Sequence, residues 1–397
     1  MPELRSLTLE EMASYNKLSS ICFTYTTKPE DLAPKEMAPE KLRQVRGVID
    51  DDGTLLGGMI MIEMDCRFEG NDCRFLGIGG VVTDPAERRR GVIRQIFEEG
   101  LPRLRNEGFV LSALYPFSHV FYRKFGYELG IVRRKAKFAP GSLRKDLHHA
   151  ASIRRILPGE PDGGMKQVYE KYIADKNLAV IRDEEHWKSL RAGTPWENLK
   201  YSYVLYNEEK EPMAYWLGTM VKNEEGSTLT ILDMAYTCRD GMESIFAMFS
   251  TMNEIGTIRA IMPMDIPLRF LMTDPYNVDE MTSCNGMVRV MDVEKVLALL
   301  PAPALKGSCT VEVTDKQIPE NNGSFTIASD GEKLTVQRSV NAPDLKCTIN
   351  GLSALAVGVM DLQGCLDARL AELVNADSKR FLAEYFRPRQ QHLHNFF

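Results

Sequence analysis

No apolar stretch in this chain approaches the ~20 residues that a membrane span needs. The opening residues, Met1-Pro2-Glu3-Leu4-Arg5, carry neither a basic n-region nor an apolar core. No signal peptide is therefore expected, and a cytoplasmic location is. The eight cysteines include no Cys-x-x-Cys pair, which argues against a zinc site and against a disulfide scaffold. Cys66 and Cys73 flank a turn at 68–72 and could face each other, as a bridge or as two reduced strand thiols. The six histidines form no metal-spaced cluster; His148, His149, His392 and His394 read as surface residues, and no metal is expected. An excess of positive charge is lacking too. The net charge of −6 argues against a general nucleic-acid or anionic-membrane surface, and is compatible with a cationic small substrate.

What remains is ordinary globular material, 44% hydrophobic and 26% charged. At 397 residues it is long enough for two or three domains.

The most informative stretch is Gly79 to Phe97. A β-rich run, Phe75 to Thr83, meets a turn at Asp84-Pro85, where proline presets φ and aspartate can bond the backbone ahead of it. Arg88-Arg89-Arg90-Gly91 follow, then a helix-like run from Val92 to Phe97. Strand, basic glycine-bearing turn and helix make an anion site from backbone. The first amides of a helix have no intrahelical partner, the helix dipole is positive there, and a phosphate fits that end. Glycine at position 91 removes the Cβ that would hold a phosphate off. The bland alternative is a solvated basic turn in an α/β unit.

Val82-Thr83 followed by Arg88-Arg89-Arg90-Gly91-Val92 resembles the acetyl-coenzyme A motif of the GNAT N-acetyltransferases, Arg-x-x-Gly-x-Gly/Ala. Ile93 stands where that motif has glycine or alanine. The form Arg-Arg-Arg-Gly-x-Leu/Ile-Arg, ending here at Arg94, is similar to the Eis-like branch, and further features resemble that branch along nearly the whole chain.

Residues 3–21 read as a strand and a helix opened by Leu9 and capped by Thr8. Residues 24–39, with Lys28-Pro29 and Ala33-Pro34, read as loop or broken helix. A hairpin turning at Asp50 to Gly53 leads into the central strand. Gly108 ends the phosphate helix, and Phe109 to Leu114 is the next strand. The segment Phe121-Tyr122-Arg123-Lys124-Phe125-Gly126-Tyr127 resembles the short GNAT helix that follows a splayed strand and its pantetheine wedge.

Beyond Lys145 the order recurs: helices at 165–177 and 184–191, a strand pair at 201–206 and 212–218, a strand at 228–236 and a helix at 241–252. There the turn reads Thr237-Cys238-Arg239-Asp240-Gly241, without the basic triplet and with Asp240 where an anion would need room. This implies a second GNAT-like copy without a cofactor site. Met287 to Asp292 introduces a third region, with a helix at 293–300, strands at 308–314, 323–328 and 333–338, and helices at 351–359 and 378–386. It resembles the sterol-carrier-protein-like domain of Eis-type chains. The expected fold class is α/β (α+β): two tandem GNAT-like domains and a sterol-carrier-protein-like α+β domain, at 1–147, 148–288 and 289–397. The aromatic ending Phe396-Phe397 reads as a buried, anchored terminus.

The resemblance implies acetyl-CoA as cosubstrate and acetyl transfer to a primary amine of a cationic small molecule, aminoglycoside or polyamine. Protein lysine acetylation, or ligand binding without catalysis, are the alternatives. Backbone amides of Val81, Val82 and Thr83 would pair the pantetheine. Those of Arg88, Arg89, Arg90, Gly91, Val92, Ile93 and Arg94 would hold the pyrophosphate, with Phe117 and Ser118 completing the cofactor set. Tyr122 would be the general acid, or else a packed aromatic; Tyr127 is given to packing. No Glu or His of the first domain stands out as the base, and the family supplies the α-carboxylate of the last residue, here Phe397. The family also implies a homo-oligomer, a hexamer of two stacked trimers.

Overall fold

The structure, a computed structural model, describes residues 2–34, 36–223 and 226–395. Phe396 and Phe397 lie outside the described residues.

The first region runs β1 (Glu3–Ser6), α1 (Met12–Phe23), the one-turn helices α2 (Pro29–Leu32) and α3 (Pro39–Leu42), β2 (Val45–Ile49), β3 (Leu55–Phe68), β4 (Asn71–Thr83), α4 (Val92–Asn106), β5 (Leu111–Leu114), α5 (His119–Arg123) and β6 (Glu128–Phe138). The second contains β7 (Ser152–Arg155), α6 (Met165–Ile173), β8 (Ala179–Ile181), α7 (Glu184–Leu190), β9 (Lys200–Tyr206), β10 (Pro212–Asn223), β11 (Gly226–Tyr236), α8 (Arg239–Ser250), β12 (Thr257–Met262) and β13 (Val278–Val290). The third begins at helix Val293–Leu299 and holds a separate five-stranded sheet, with strand 307–314 at its centre between strands 323–329 and 345–348.

Two compact units result, and they interleave along the chain. Among the described residues, one comprises 2–131, 285–389 and 395; the other comprises 132–284 and 390–394. In the first unit the sheet order is β1-β2-β3-β4-β5, continued by residues 285–290 of β13 and by the start of β6. In the second unit the order is the rest of β6, then β12-β11-β10-β9-β7. Each sheet is thus completed by a strand from the other half of the sequence. Met287 to Val290, which read as the lead into a third region, pair antiparallel with β5 (Met287 opposite Leu114, Val290 opposite Leu111).

Local chemistry accounts for most elements. Val92, Ile93, Ile96, Phe97, Leu101 and Leu104 of α4 recur at helical spacing and are all buried. With Met59, Met61, Leu76 and Ile78 they form the core between helix and sheet. α1 starts later than expected, at Met12. Thr8 caps a preceding turn instead: its amide donates to Glu11 Oε2 at 2.8 Å, and its Oγ1 accepts from the Glu11 amide at 3.4 Å. Cys66 and Cys73 do face each other, at 3.6 Å, as free thiols. His392, expected at the surface, is buried, and His394 is half-buried, because both rings pack into the second unit. Among the described residues no helix is long and apolar enough to cross a membrane, and no group of three or more His, Cys, Asp or Glu is placed to hold a metal ion.

The two sheets share one irregularity. β4 runs parallel with β5 only from Phe75–Leu111 to Ile78–Leu114, then continues to Thr83. β11 runs parallel with β12 only from Thr228–Thr257 to Ile231–Ala260, then continues to Tyr236. Each strand carries a bulge where the partners part. Gly80 and Val81 oppose Met59 alone, and Leu232 is the extra residue between Ile231 and Asp233. Both sheets are forked at the same place.

The third region is clamped to the first unit's sheet through a wholly buried ion pair. Arg289 on β13 donates from NH2 to both carboxylate oxygens of Asp315 (2.9 and 2.7 Å) and from NH1 to the Phe125 carbonyl (2.7 Å). Removing one partner of such a pair leaves an unpaired buried charge. Asp315→Ala is expected to destabilise the first unit by about 3–5 kcal/mol, read as an earlier unfolding transition in denaturant. A shift worth less than about 1 kcal/mol would show that the clamp is dispensable.

Candidate active site

At the fork of the first sheet β4 is bent by backbone, not side chain. Gly80 sits at φ +55°, and a Cβ there would collide with the Tyr15 hydroxyl and with Ile60. That hydroxyl, from α1, donates to the Gly80 carbonyl, and Cys22 Sγ lies 3.4 Å from the Thr83 carbonyl. The bulge is thereby held from the α1 side while β4 beyond Ile78 has parted from β5. Val81 and Thr83 are half-buried and Val82 is buried, so a ligand in the fork meets mostly their backbone.

The loop to α4 is a short 3-10 turn, Pro85–Glu87, whose first amide donors are met by Asp84, with Oδ1 accepting from the Ala86 amide at 2.9 Å. Arg89 (φ +70°) and Gly91 (φ +88°) then adopt the left-handed conformation. Such alternation turns successive amides inward as an anion nest. The first intrahelical bond of α4 is Gln95 N–H to Gly91 C=O, at 2.9 Å. The amides of Val92, Ile93 and Arg94 precede it, and no side chain caps them. A Cβ at Gly91 would meet nothing within 4 Å, so the space in front of this helix end is open. Arg88, Arg89, Arg90 and Arg94 are exposed, with Arg90 ion-paired to Glu87. Val92 and Ile93 send their side chains into the core and offer only backbone.

The second unit differs at this point. Only Thr237 and Cys238 separate β11 from α8, against residues 84–91 in the first. Asp240 lies in the first turn of α8, and a Cβ at Gly241 would come within 2.5 Å of the Met213 carbonyl, so this helix end is pressed onto β10.

Beyond β5, Phe117 is 72% exposed, and Ser118 Oγ caps α5 by accepting from the Phe121 amide at 3.3 Å. α5 carries Tyr122, only 2% exposed, edge-on to Phe117 (5.4 Å), Phe121 (5.1 Å) and Phe97 (6.1 Å). Burial pushes the Tyr122 phenol well above its ordinary range, so it stays protonated at any working pH. Its hydroxyl makes no hydrogen bond to any described residue, whereas that of buried Tyr127 is satisfied by Ser112 Oγ at 2.7 Å. Two functional neighbours went unread in the sequence. Tyr15 has no local signal. Tyr115, directly after β5, donates its hydroxyl to the Asn395 carbonyl at 2.9 Å and so brings the last described residue to the exit of β5. Phe397 itself lies outside the described residues.

Comparison with known proteins fits this geometry. Residues 3–130 and 178–290 each match an acetyltransferase (GNAT) domain family, and residues 293–393 match the sterol carrier protein domain family. The chain belongs to the Eis-like branch of the GNAT family. The N-acetyltransferase Eis of Mycobacterium tuberculosis is 29% identical over 126 residues, and that match covers 29% of this chain and 30% of the relative's length. An uncharacterized N-acetyltransferase of Streptomyces griseus is 20% identical over 93% of both chains. Two solved structures share the fold over their full lengths at 18% identity: a GCN5-related N-acetyltransferase from Anabaena variabilis (TM-score 0.88) and Eis1 from Mycobacterium abscessus (TM-score 0.82).

Calorimetric titration with coenzyme A should therefore find one site per chain, and Gly91→Glu should abolish it, since the substitution puts a carboxylate and a strained side chain into the open nest. Two equivalent sites, or unchanged binding by the variant, would count against this assignment.

Proposed function

We propose that the first unit transfers an acetyl group from acetyl-CoA to a primary amine of a small cationic acceptor, of the aminoglycoside or polyamine kind. The observation that carries the reading is Tyr122: a buried ring on the helix after β5, its phenol protonated and its hydroxyl without a partner among the described residues, in the unit whose strand β4 parts from β5 and leads into an open glycine nest.

Acetyl-CoA supplies an activated thioester. The amides from Arg88 to Arg94 hold its pyrophosphate, the β4 edge at Val81 to Thr83 pairs the pantetheine arm, and Phe117 and Ser118 flank it. Amides at the bulge are donors for the oxyanion that develops on the thioester carbonyl. As the amine nitrogen bonds to the carbonyl carbon, the carbon–sulfur bond breaks and Tyr122 gives its proton to the leaving sulfur. The amine must be neutral to attack, so a base removes its proton. The resemblance to Eis-type chains names the α-carboxylate of Phe397, and the hold of Tyr115 on Asn395 favours it. Homo-oligomeric assembly, hexameric by the same resemblance, belongs to this reading.

A thiol-release screen of the untagged protein across aminoglycosides, polyamines and lysine peptides tests the reading. Amine-dependent release supports it; release with lysine peptides alone moves the acceptor to protein; no release with any amine leaves a ligand-binding protein. Tyr122→Phe should lower turnover by ~10²–10⁴-fold with the KM for acetyl-CoA little changed. A change in KM alone would make Tyr122 a packing residue. Extending the chain past Phe397 turns its carboxylate into an amide and should cost turnover similarly. Full activity across pH 6 to 9 in a folded, extended protein would remove the carboxylate from the mechanism.

A further inference from the structure

The fork of the second sheet is filled. Beyond the parting of β11 from β12, β11 carries Asp233 and Tyr236 where β4 carries Gly80 and Thr83. Asp233 is buried, bound by Arg182 through NH1 (2.6 Å) and NH2 (3.0 Å) and by the Tyr215 hydroxyl (2.6 Å). Just past β12, Asp265 accepts from the Tyr172 hydroxyl at 2.9 Å, and the Tyr172 ring lies 5.0 Å from that of Tyr236.

Into this polar lining comes the C-terminal segment. Gln391, His392 and Leu393 are all buried. The His392 amide donates to the Asn177 carbonyl at 2.7 Å, and Gln391 makes a parallel bridge with Asn177. The His392 ring stands edge-on to Tyr172 at 5.1 Å, and His394 stacks on His392 with centroids 4.1 Å apart. His394 is within electrostatic reach of Asp233 on one side of the fork and Asp265 on the other.

We propose that the forked cleft of the second unit is a receptor for the chain's own C-terminal segment, with His392 and His394 as positioning residues that set where the chain end lies for acetyl transfer. The part about transfer rests on the terminal carboxylate acting as base. The occupied cleft takes no coenzyme, and the seat is made of neutral, stacked rings. Arg182, Lys176 and His394 all oppose a charge on His392. For His394, Asp233 and Asp265 favour charge while Arg133 and Arg182 oppose it. Burial outweighs the carboxylates: His394 is lowered to about 4, and His392 falls well below its ordinary range.

A histidine held neutral when seated and free to protonate when released makes seating depend on pH. Seating is complete above the free-histidine range, about 6.5, and weakens as pH falls. Each histidine costs the seating constant about tenfold per pH unit below that, until its seated pKa is reached.

The test uses the full, untagged chain. Amide hydrogen exchange of residues 390–395, corrected for intrinsic rates, is followed at pH 7.5 and pH 5.0 beside turnover. The segment should be protected at pH 7.5 and lose at least tenfold in protection at pH 5.0. His392→Ala with His394→Ala should exchange freely at both pH values, with kcat falling and the KM for acetyl-CoA steady. His392→Phe with His394→Phe keeps aromatic stacking without a titrating group. It should stay protected at both pH values and lose the acid limb of the turnover profile, and this pair carries the test should the alanine variant not fold. The proposal is overturned if wild-type protection is the same at both pH values. It is equally overturned if the phenylalanine pair keeps the wild-type pH dependence, or if turnover falls in an alanine variant whose tail stays protected. If protection follows the histidines while extension past Phe397 leaves turnover intact, the seat stands and the base assignment fails.

Discussion

Arg289 is a full charge with no access to water, and much of the first unit is arranged around satisfying it. Its strand lies beside β5 within the sheet, with Arg289 opposite Ser112. One end of its guanidinium takes the carbonyl of Phe125, at the turn where α5 ends, and the other takes Asp315. Gly126, at φ +82°, has no side chain because any Cβ would strike the guanidinium. Asp315 is in turn fixed by Asn321, which also holds the Met291 carbonyl. A buried pair of this kind gains little over apolar packing, but it tolerates few arrangements. Here it ties together the sheet strand beside β5, the turn after the helix carrying Tyr122, and the third region.

The same economy appears at the fork. A β-bulge adds one residue and turns a strand, and it costs only a local loss of ladder bonds. In the first unit the space so made is bordered by glycine backbone and an open helix end. In the second the same irregularity is lined with Asp233, Arg182 and Tyr172, and the helix end is pressed shut against Met213. Two copies of one architecture have been given opposite polarity, one empty of side chains and one crowded with them.

What the sequence made legible was local. The basic turn at 88–91, the apolar stripe of α4 and the aromatic helix at 121–127 each depend on residues within a few positions of one another. The tandem order of strands and helices was readable for the same reason. The start of α1 was misread because Thr8 and Glu11 satisfy one another in a turn before the helix. His392 and His394 were misread because polarity alone says nothing of a stack that forms against Tyr172, far back in the chain. The pairing of residues 287–290 with β5 could not be read either. Edge complementarity between strands so far apart leaves no periodic trace in either one.

That exchange of strands has a consequence for how the chain is made. β5 emerges from the ribosome with its far edge bare, and the strand that covers it is not synthesised until residues 285–290. At ordinary elongation rates of about 5–20 residues per second, the wait is on the order of ten to thirty seconds. For that interval Leu111 to Leu114 offer an unpaired apolar ladder to any passing strand. Folding by domains in order of synthesis, the usual protection of a multidomain chain, is closed to this one. Its first half must hold an open sheet in solution while its second half is still being written.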